Sequence, residues 1–153
     1  MAGNRFGGPT VYRCDMTFIA HIHPVLVHFP IALVLVAALF EAVATIAGLD
    51  RWHAFAVANV RAGAAFAVVA AVTGWRLAGA MAIDGMPALE WHRWVGTAAA
   101  VAALGAAAAT VRLRGSVAIR TAYLVALFCA AALVAVTGHL GGVLVWGAEF
   151  LRP

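Results

Sequence analysis

The sequence predicts an all-α integral membrane protein, an up-down bundle of four helices built from a duplicated helical hairpin. Of its 153 residues, 65% are hydrophobic and only 10% are charged, whereas a soluble domain carries about 25% charged residues. The apolar residues form four stretches, each long enough to supply the roughly 20 residues that cross a bilayer. Because the links between the stretches are short, consecutive helices are expected to run antiparallel.

Local signals mark the ends of the four helices. Pro24 and Pro87 occupy first-turn positions, where proline is favoured. Glu90 places a negative charge in the first turn of the third helix, and Ser116 can cap the fourth. The predicted helices span residues 24–48, 55–80, 87–111 and 117–145.

The second and fourth predicted helices end in a shared tetrapeptide, Ala-Val-Thr-Gly, which contains Thr73 and Thr137 respectively. His28 precedes Thr73 by 45 residues, and His92 precedes Thr137 by 45 residues. An offset of 64 residues therefore superposes the first hairpin on the second and His28 on His92. Parallel repeats of this kind are related by an axis along the membrane normal.

Composition excludes two classes of function. All ten basic residues are arginines, and they form no stripe with interleaved aromatic residues, so nucleic-acid binding is not indicated. Cys14 and Cys129 are the only cysteines, and no Cys-x-x-Cys-His motif occurs, which excludes covalent attachment of a c-type haem within this chain. We expect a tail of residues 1–20 without a cleaved signal peptide, and Met16 is an alternative start. Residues 21–153 are then a single transmembrane domain.

Three histidines are predicted to lie at one depth near one membrane face. His28 and His92 fall close to the starts of the first and third helices, and His139 falls close to the end of the fourth. Ionisable residues within spans usually have a function. Because the first and third helices are diagonal in an up-down bundle, His28 and His92 can point toward each other across the pseudo-two-fold axis. This is the arrangement of a bis-histidine haem b.

The surroundings of these histidines suit the same cofactor. His139 is a substitute axial ligand or a donor to a propionate, Trp75 and Trp91 can wall the pocket, and Arg93 or Arg76 can pair the propionates. Three imidazoles with an open position would also suit zinc or copper. The remaining histidines, for which an interfacial position without a ligand is preferred, are His21, His23 and His53.

Glu41 and Arg61 form a second candidate constellation. Counted from the link between the first two helices, the two residues lie level on antiparallel neighbours. An ion pair would reduce the cost of placing two charges in lipid. We therefore predict a structural ion pair, with proton or quinone chemistry at Glu41 as the less favoured role.

The arginines also indicate an orientation. Both faces carry five arginines, but Arg112, Arg114 and Arg120 are tightly grouped at the short link between the third and fourth helices. Positive charge in short loops favours the cytoplasmic side. Both termini and the histidine face are therefore expected outside the cytoplasm.

Several segments resemble the bacterial membrane family called domain of unknown function 2231, over about residues 21–151. The segments are His-Pro-Val-Leu-Val-His-Phe-Pro-Ile, Glu-Trp-His-Arg-Trp-Val-Gly, Thr-Gly-His-Leu-Gly-Gly and Trp-Gly-Ala-Glu-Phe-Leu, which begin at His23, Glu90, Thr137 and Trp146. Similar members often occur joined to or near cytochrome c domains. The resemblance thus implies electron transfer on the extracytoplasmic side.

These features together predict a b-type haem electron-transfer protein, or the membrane subunit of a larger redox complex, in the bacterial inner membrane. It would pass electrons between a periplasmic cytochrome c and a quinone or a partner subunit. The alternative is a cofactor-free assembly subunit whose histidines and tryptophans form a docking surface. A small transporter is less favoured, because the sequence shows no broken helix or polar stripe at the bilayer midplane.

Overall fold

The computed structural model describes residues 22–81, 86–113, 116–147 and 149. Within these ranges the chain is helical and contains no strand, which confirms the predicted all-α fold. Several residues named above lie outside the described residues: Cys14 and Met16 in the tail, and also His21 and Arg114. The helices are α1 His28–Ala47, α2 Asp50–Met81, α3 Pro87–Ala109 and α4 Val117–Trp146.

Two of these elements have extensions. A helical segment at residues 22–26 leads into α1 through a turn at Val27, so the apolar span runs over Ile22–Ala47. The 3-10 helix Thr110–Arg112 continues α3. By length and hydropathy all four helices are able to cross a membrane.

The link between α1 and α2 is shorter than the sequence predicts. Gly48 ends α1 in the left-handed conformation, with φ at 64°, and its N–H bonds to the Ala44 carbonyl, a common glycine stop signal. Asp50 already begins α2 and places a carboxylate in its first turn, where the helix dipole favours negative charge. The predicted start at residue 55 was therefore wrong by more than one turn.

The starts of α3 and α4 carry the predicted sequence signals. Pro87 is the first residue of α3, and Glu90 lies in its first turn. Ser116 precedes α4, and its hydroxyl accepts a hydrogen bond from the Ala118 N–H at 3.1 Å.

The helices form an up-down bundle. α1 packs mainly against α2 and α4, and α3 also packs against α2 and α4, so α1 and α3 are diagonal. Small residues dominate the core, and alanines on all four helices are buried. Small side chains let helices approach closely in lipid, where van der Waals packing replaces the hydrophobic effect as the driving force.

A heptad-like stripe on α1 and another on α3 line the interior. On α1 the stripe contains Pro30, Val34, Ala37, Glu41 and Ala44, which are all buried. Spacings of three and four residues place them on one helix face. On α3 the buried stripe comprises Ala99, Ala103, Ala106 and the following Thr110.

Candidate functional site

Extending each interior stripe back by seven residues reaches a histidine. On the first span that residue is His23, seven before Pro30, and on α3 it is His92, seven before Ala99. Both imidazoles are partly buried. The histidine end of the bundle, where α1 and α3 begin and α2 and α4 end, thus contains a pair of inward-facing histidines.

The ring of each histidine is held by its neighbouring helix. His92 Nδ1 lies 3.1 Å from the Thr137 carbonyl oxygen on α4. Because a carbonyl only accepts hydrogen bonds, we assign the Nδ1 proton to His92. His23 Nδ1 lies 3.0 Å from Thr73 Oγ1 on α2.

The hydrogen bonds of the Thr73 hydroxyl indicate the tautomer of His23. The Thr73 hydroxyl donates its single proton to the backbone, with the Val69 and Ala70 carbonyl oxygens at 2.9 and 3.0 Å. We therefore assign the hydroxyl oxygen as the acceptor and the Nδ1 proton to His23. In both histidines Nε2 is left with a free lone pair, which is the form that binds a metal.

Glycines provide the space for these rings. A Cβ atom at Gly74 on α2 would lie 2.7 Å from Cε1 of His23, and one at Gly141 on α4 would lie 3.2 Å from Cε1 of His92. Each imidazole therefore packs against the backbone of the adjacent helix. On α4, the His92 ring occupies the space that a side chain at position 141 would need.

Besides the 64-residue offset of the shared tetrapeptide, two other offsets relate buried residues of the two hairpins. An offset of 69 residues superposes His23 on His92 and Glu41 on Thr110, and an offset of 67 superposes Gly74 on Gly141. The same 67-residue offset superposes the buried Val60 of α2 on the buried Leu127 of α4.

The predicted pairing of His28 with His92 uses the 64-residue offset, whereas the interior stripes lead to His23 and His92. His28 lies five residues beyond His23, off the interior stripe, and its side chain is exposed. The 64-residue offset of the Ala-Val-Thr-Gly match differs by three residues, almost one helical turn, from the 67-residue offset that relates Gly74 to Gly141. His139 is also exposed, so the structure does not bring the three predicted histidines together.

A tryptophan and an arginine pack beside the His92 end of α3. The guanidinium carbon of Arg93 lies 3.8 Å from the centroid of the Trp75 ring. Trp75 Nε1 donates a 2.9 Å hydrogen bond to Thr97 Oγ1. Arg93 Nε is buried and has no hydrogen-bond partner among the described residues. Trp75 and Arg93 are therefore neighbours, and one guanidinium nitrogen is left without an acceptor among the described residues.

The predicted aromatic wall is only partly formed. Trp94 meets Trp75 edge to face, with ring centroids 5.3 Å apart. Trp91, in contrast, is 66% exposed and faces away from the bundle interior. In the described parts of the chain no three metal-binding side chains are grouped closely enough to hold an ion, so the three-imidazole zinc or copper site is not formed there.

A second polar cluster surrounds Glu41 at the opposite end, the arginine end, which carries Arg51, Arg61, Arg112 and Arg120. Glu41 is fully buried. Its Oε2 lies 2.7 Å from His53 Nδ1 on α2 and accepts a 3.1 Å hydrogen bond from the Tyr123 hydroxyl on α4. Its Oε1 lies 3.7 Å from a guanidinium nitrogen of Arg120.

The predicted Glu41–Arg61 ion pair was wrong. Arg61 Nε instead donates a 2.8 Å hydrogen bond to Thr110 Oγ1, on the side of α2 that faces α3. The turn between α1 and α2 lies at residues 48–49, so at 1.5 Å per residue Arg61 is about 7 Å deeper than Glu41. The sequence count assumed a later turn and placed the two residues level.

Sequence reasoning missed three participants in these sites. His23 and His53 were assigned to the membrane interface, and Tyr123 was not considered. The signal for His23 was available, because it continues the heptad spacing that leads through Pro30 to Glu41. His53 and Tyr123 carry no such signal, since their contacts depend on how α2 and α4 are rotated.

Comparison with known proteins gives a match to a protein family. A family model described as "Predicted membrane protein (DUF2231)" matches residues 20–150, which is most of the chain. Searches of the curated proteins and of the solved structures each returned no significant match. With four helices able to span a bilayer and a family model that covers them all, this chain belongs to the DUF2231 family of predicted membrane proteins.

Proposed function

We propose that this protein is a b-type haem electron-transfer protein, or the haem-bearing membrane subunit of a larger redox complex, with His23 and His92 as the axial ligands. One observation carries the proposal: both imidazoles are held through Nδ1 by groups of the chain, which leaves both Nε2 atoms free. Histidines that bind metals almost always donate their other ring N–H in this way, which fixes the tautomer and the orientation of the ring.

The residues present fit haem b in a second respect. Arg93 adjoins His92 in sequence, and its buried Nε lacks an acceptor among the described residues. A haem propionate would supply one, as a charge-assisted hydrogen bond. When bound between two imidazoles, haem b supplies one-electron transfer. The chain's own contribution is to hold both rings in place and to keep water away from them.

The orientation and the partners are part of this proposal. The grouped arginines at the arginine end favour the cytoplasmic side, so the histidine end and both termini face the periplasm. An electron carrier at that face, such as a cytochrome c, can then approach His23 and His92. A quinone or a partner subunit in the bilayer of the inner membrane is the other redox partner.

The test is the absorption spectrum of the full chain purified from haem-replete membranes. The wild-type protein should show the Soret and α bands of a low-spin haem, and His23→Ala and His92→Ala should each abolish them. His28→Ala is the matched control and should retain the bands, because His28 is exposed. Loss of the bands in His28→Ala but not in His23→Ala would restore the pairing predicted from the tetrapeptide repeat and overturn this one.

A cofactor-free assembly subunit is the second candidate. Three tryptophans at the histidine end are largely exposed: Trp91 at 66%, Trp94 at 63% and Trp146 at 67%. Aromatic rings of this kind anchor proteins at the membrane interface and dominate docking surfaces. A wild-type protein with no haem band, purified together with a partner that Trp91→Ala and Trp94→Ala release, would favour this candidate over the haem protein.

A further inference from the structure

An ionised carboxylate at the position of Glu41 is energetically unfavourable. It is fully buried, on the interior stripe of α1, and a charge in a bilayer span requires compensation by neighbouring groups. Both available donors, His53 Nδ1 and the Tyr123 hydroxyl, contact the same atom, Oε2. Oε1 is buried and has no hydrogen-bond partner among the described residues. Hydrogen bonds therefore compensate the charge at Oε2 and not at Oε1.

Arg120 balances this charge only loosely. Its guanidinium nitrogen is 3.7 Å from Oε1, and its side chain is 48% exposed. A charge pair that is half in solvent interacts more weakly than a buried bidentate contact would. If Glu41 takes up a proton, the Arg120 guanidinium remains hydrated. Neutralising the carboxylate therefore leaves no unpaired charge buried in the interior.

His53 lies between the buried carboxylate and the surface of the bundle. It lies in the first turns of α2, three residues after Asp50, and its side chain is 27% exposed while its Nδ1 contacts Glu41. Nε2 is on the opposite edge of the same ring. An imidazole that touches solvent on one edge and an acceptor on the other can relay a proton.

No other charged group from the surrounding helices contacts the carboxylate. Arg61, on α2, donates to Thr110, and Asp50 and Arg51 lie at the exposed start of α2. The only acidic residue in the described part of α3 is Glu90, at the histidine end. Within the described residues, then, the titratable and charged groups that face Glu41 are His53 from α2 and Tyr123 and Arg120 from α4.

We propose that Glu41 and His53 form a proton-uptake site, open to water at the arginine end of the bundle. A proton from hydronium binds Nε2 of His53 while the Nδ1 proton moves to Oε2 of Glu41. The imidazole is neutral before and after, the carboxylate becomes a carboxylic acid, and the net change is one bound proton. Tyr123 continues to donate to Oε2 and keeps the acid oriented toward His53.

The experiment is infrared difference spectroscopy of the full chain in lipid nanodiscs, with pH as the variable. A C=O band of a protonated carboxylic acid should grow as the pH falls, disappear in Glu41→Gln and persist in Glu90→Gln, the matched control at an exposed glutamate. If Glu41→Gln leaves the spectrum unchanged at every pH, Glu41 does not take up a proton and the proposal fails. Should Glu41→Gln not fold, Glu41→Asp must shift the frequency of the band, and an unshifted band overturns the assignment.

The role of His53 has a separate readout. Transfer into D₂O shifts the carboxylic C=O band as the proton exchanges, and in His53→Phe this exchange should be about 100-fold slower or more, the usual contribution of a positioned acid–base group. An unchanged exchange rate in His53→Phe means that water reaches Glu41 directly and removes His53 from the site. None of these measurements requires haem, so their outcome is independent of the spectrum of the histidine end.

Discussion

At the residue scale, the two histidines that the bundle brings together depend on the absence of a side chain on the opposing helix. His23 packs on Gly74, and His92 packs on Gly141, so the imidazole and the glycine are a matched pair in each hairpin. The position of a histidine along its helix therefore decides whether its ring fits at this end of the bundle. A histidine displaced from the interior stripe, as His28 is, meets neither the glycine nor the acceptor beside it.

Gly74→Ala should destabilise the protein by about 1–3 kcal/mol, the usual cost of overpacking. The new Cβ would lie 2.7 Å from Cε1 of His23, so the ring must move and its hydrogen bond to Thr73 breaks. Gly141→Ala, with a 3.2 Å contact to Cε1 of His92, should cost less.

The measurement is the thermal unfolding midpoint in detergent, read by circular dichroism. Gly142→Ala is the control, because an added Cβ there meets nothing within 4 Å among the described residues. A fall in the midpoint for Gly142→Ala as large as that for Gly74→Ala would show that the loss of a glycine, and not the His23 contact, is responsible.

At the scale of the elements, α1 and α2 approach closely because Gly63 faces Val34. A Cβ atom at position 63 would lie 2.9 Å from Cγ2 of Val34 and 3.4 Å from the Val34 backbone nitrogen. The side chain of Val34 is fully buried and has no free volume into which to rotate. The first hairpin is therefore packed around one glycine, as is common for helices in lipid.

Gly63→Ala should lower the free energy of unfolding by about 1–3 kcal/mol, because α2 must move away from α1. Gly105→Ala on α3 is the matched control, since nothing lies within 4 Å of its added Cβ. That control should be neutral or slightly stabilising, by up to about 1 kcal/mol, since alanine is the better helix former. Equal unfolding midpoints for the two variants would contradict the close contact between α1 and α2.

At the scale of the whole molecule, the bundle separates two polar clusters along its axis. The histidine pair lies where α1 and α3 begin, and the Glu41 cluster lies near the turn between α1 and α2. Between them the interior contains alanine, valine and leucine. The proposed haem ligands and the proposed proton-uptake site therefore lie at opposite ends of the bundle.

Orientation is tested by labelling single cysteines in intact cells, in a background in which Cys14 and Cys129 are replaced by serine. Met86→Cys, at the histidine end, should react with an impermeant maleimide, and Val117→Cys, at the arginine end, should react only after the cells are opened. Both side chains are exposed, at 45% and 84%, so protection reports the side of the membrane. The reverse pattern would place the histidine end in the cytoplasm.

Much of this architecture follows from the sequence alone. Four apolar stretches separated by short links leave few alternatives in lipid, because backbone polar groups there must be satisfied within each helix. The all-α class, the four spans, the caps at Pro87 and Ser116 and the family were therefore predictable from composition, local signals and motifs.

Only the tertiary structure decided which polar residues meet. The tetrapeptide repeat favoured His28, and residue counting favoured Arg61, but His23 faces the interior and His53 contacts Glu41. The physical reason is that side-chain contacts in a bundle depend on the rotation and depth of each helix. Close packing at glycines and the tight turn at Gly48 fix the rotation and the depth of the helices. An error of two or three residues in the rotation or the depth turns a side chain from the interior to the lipid.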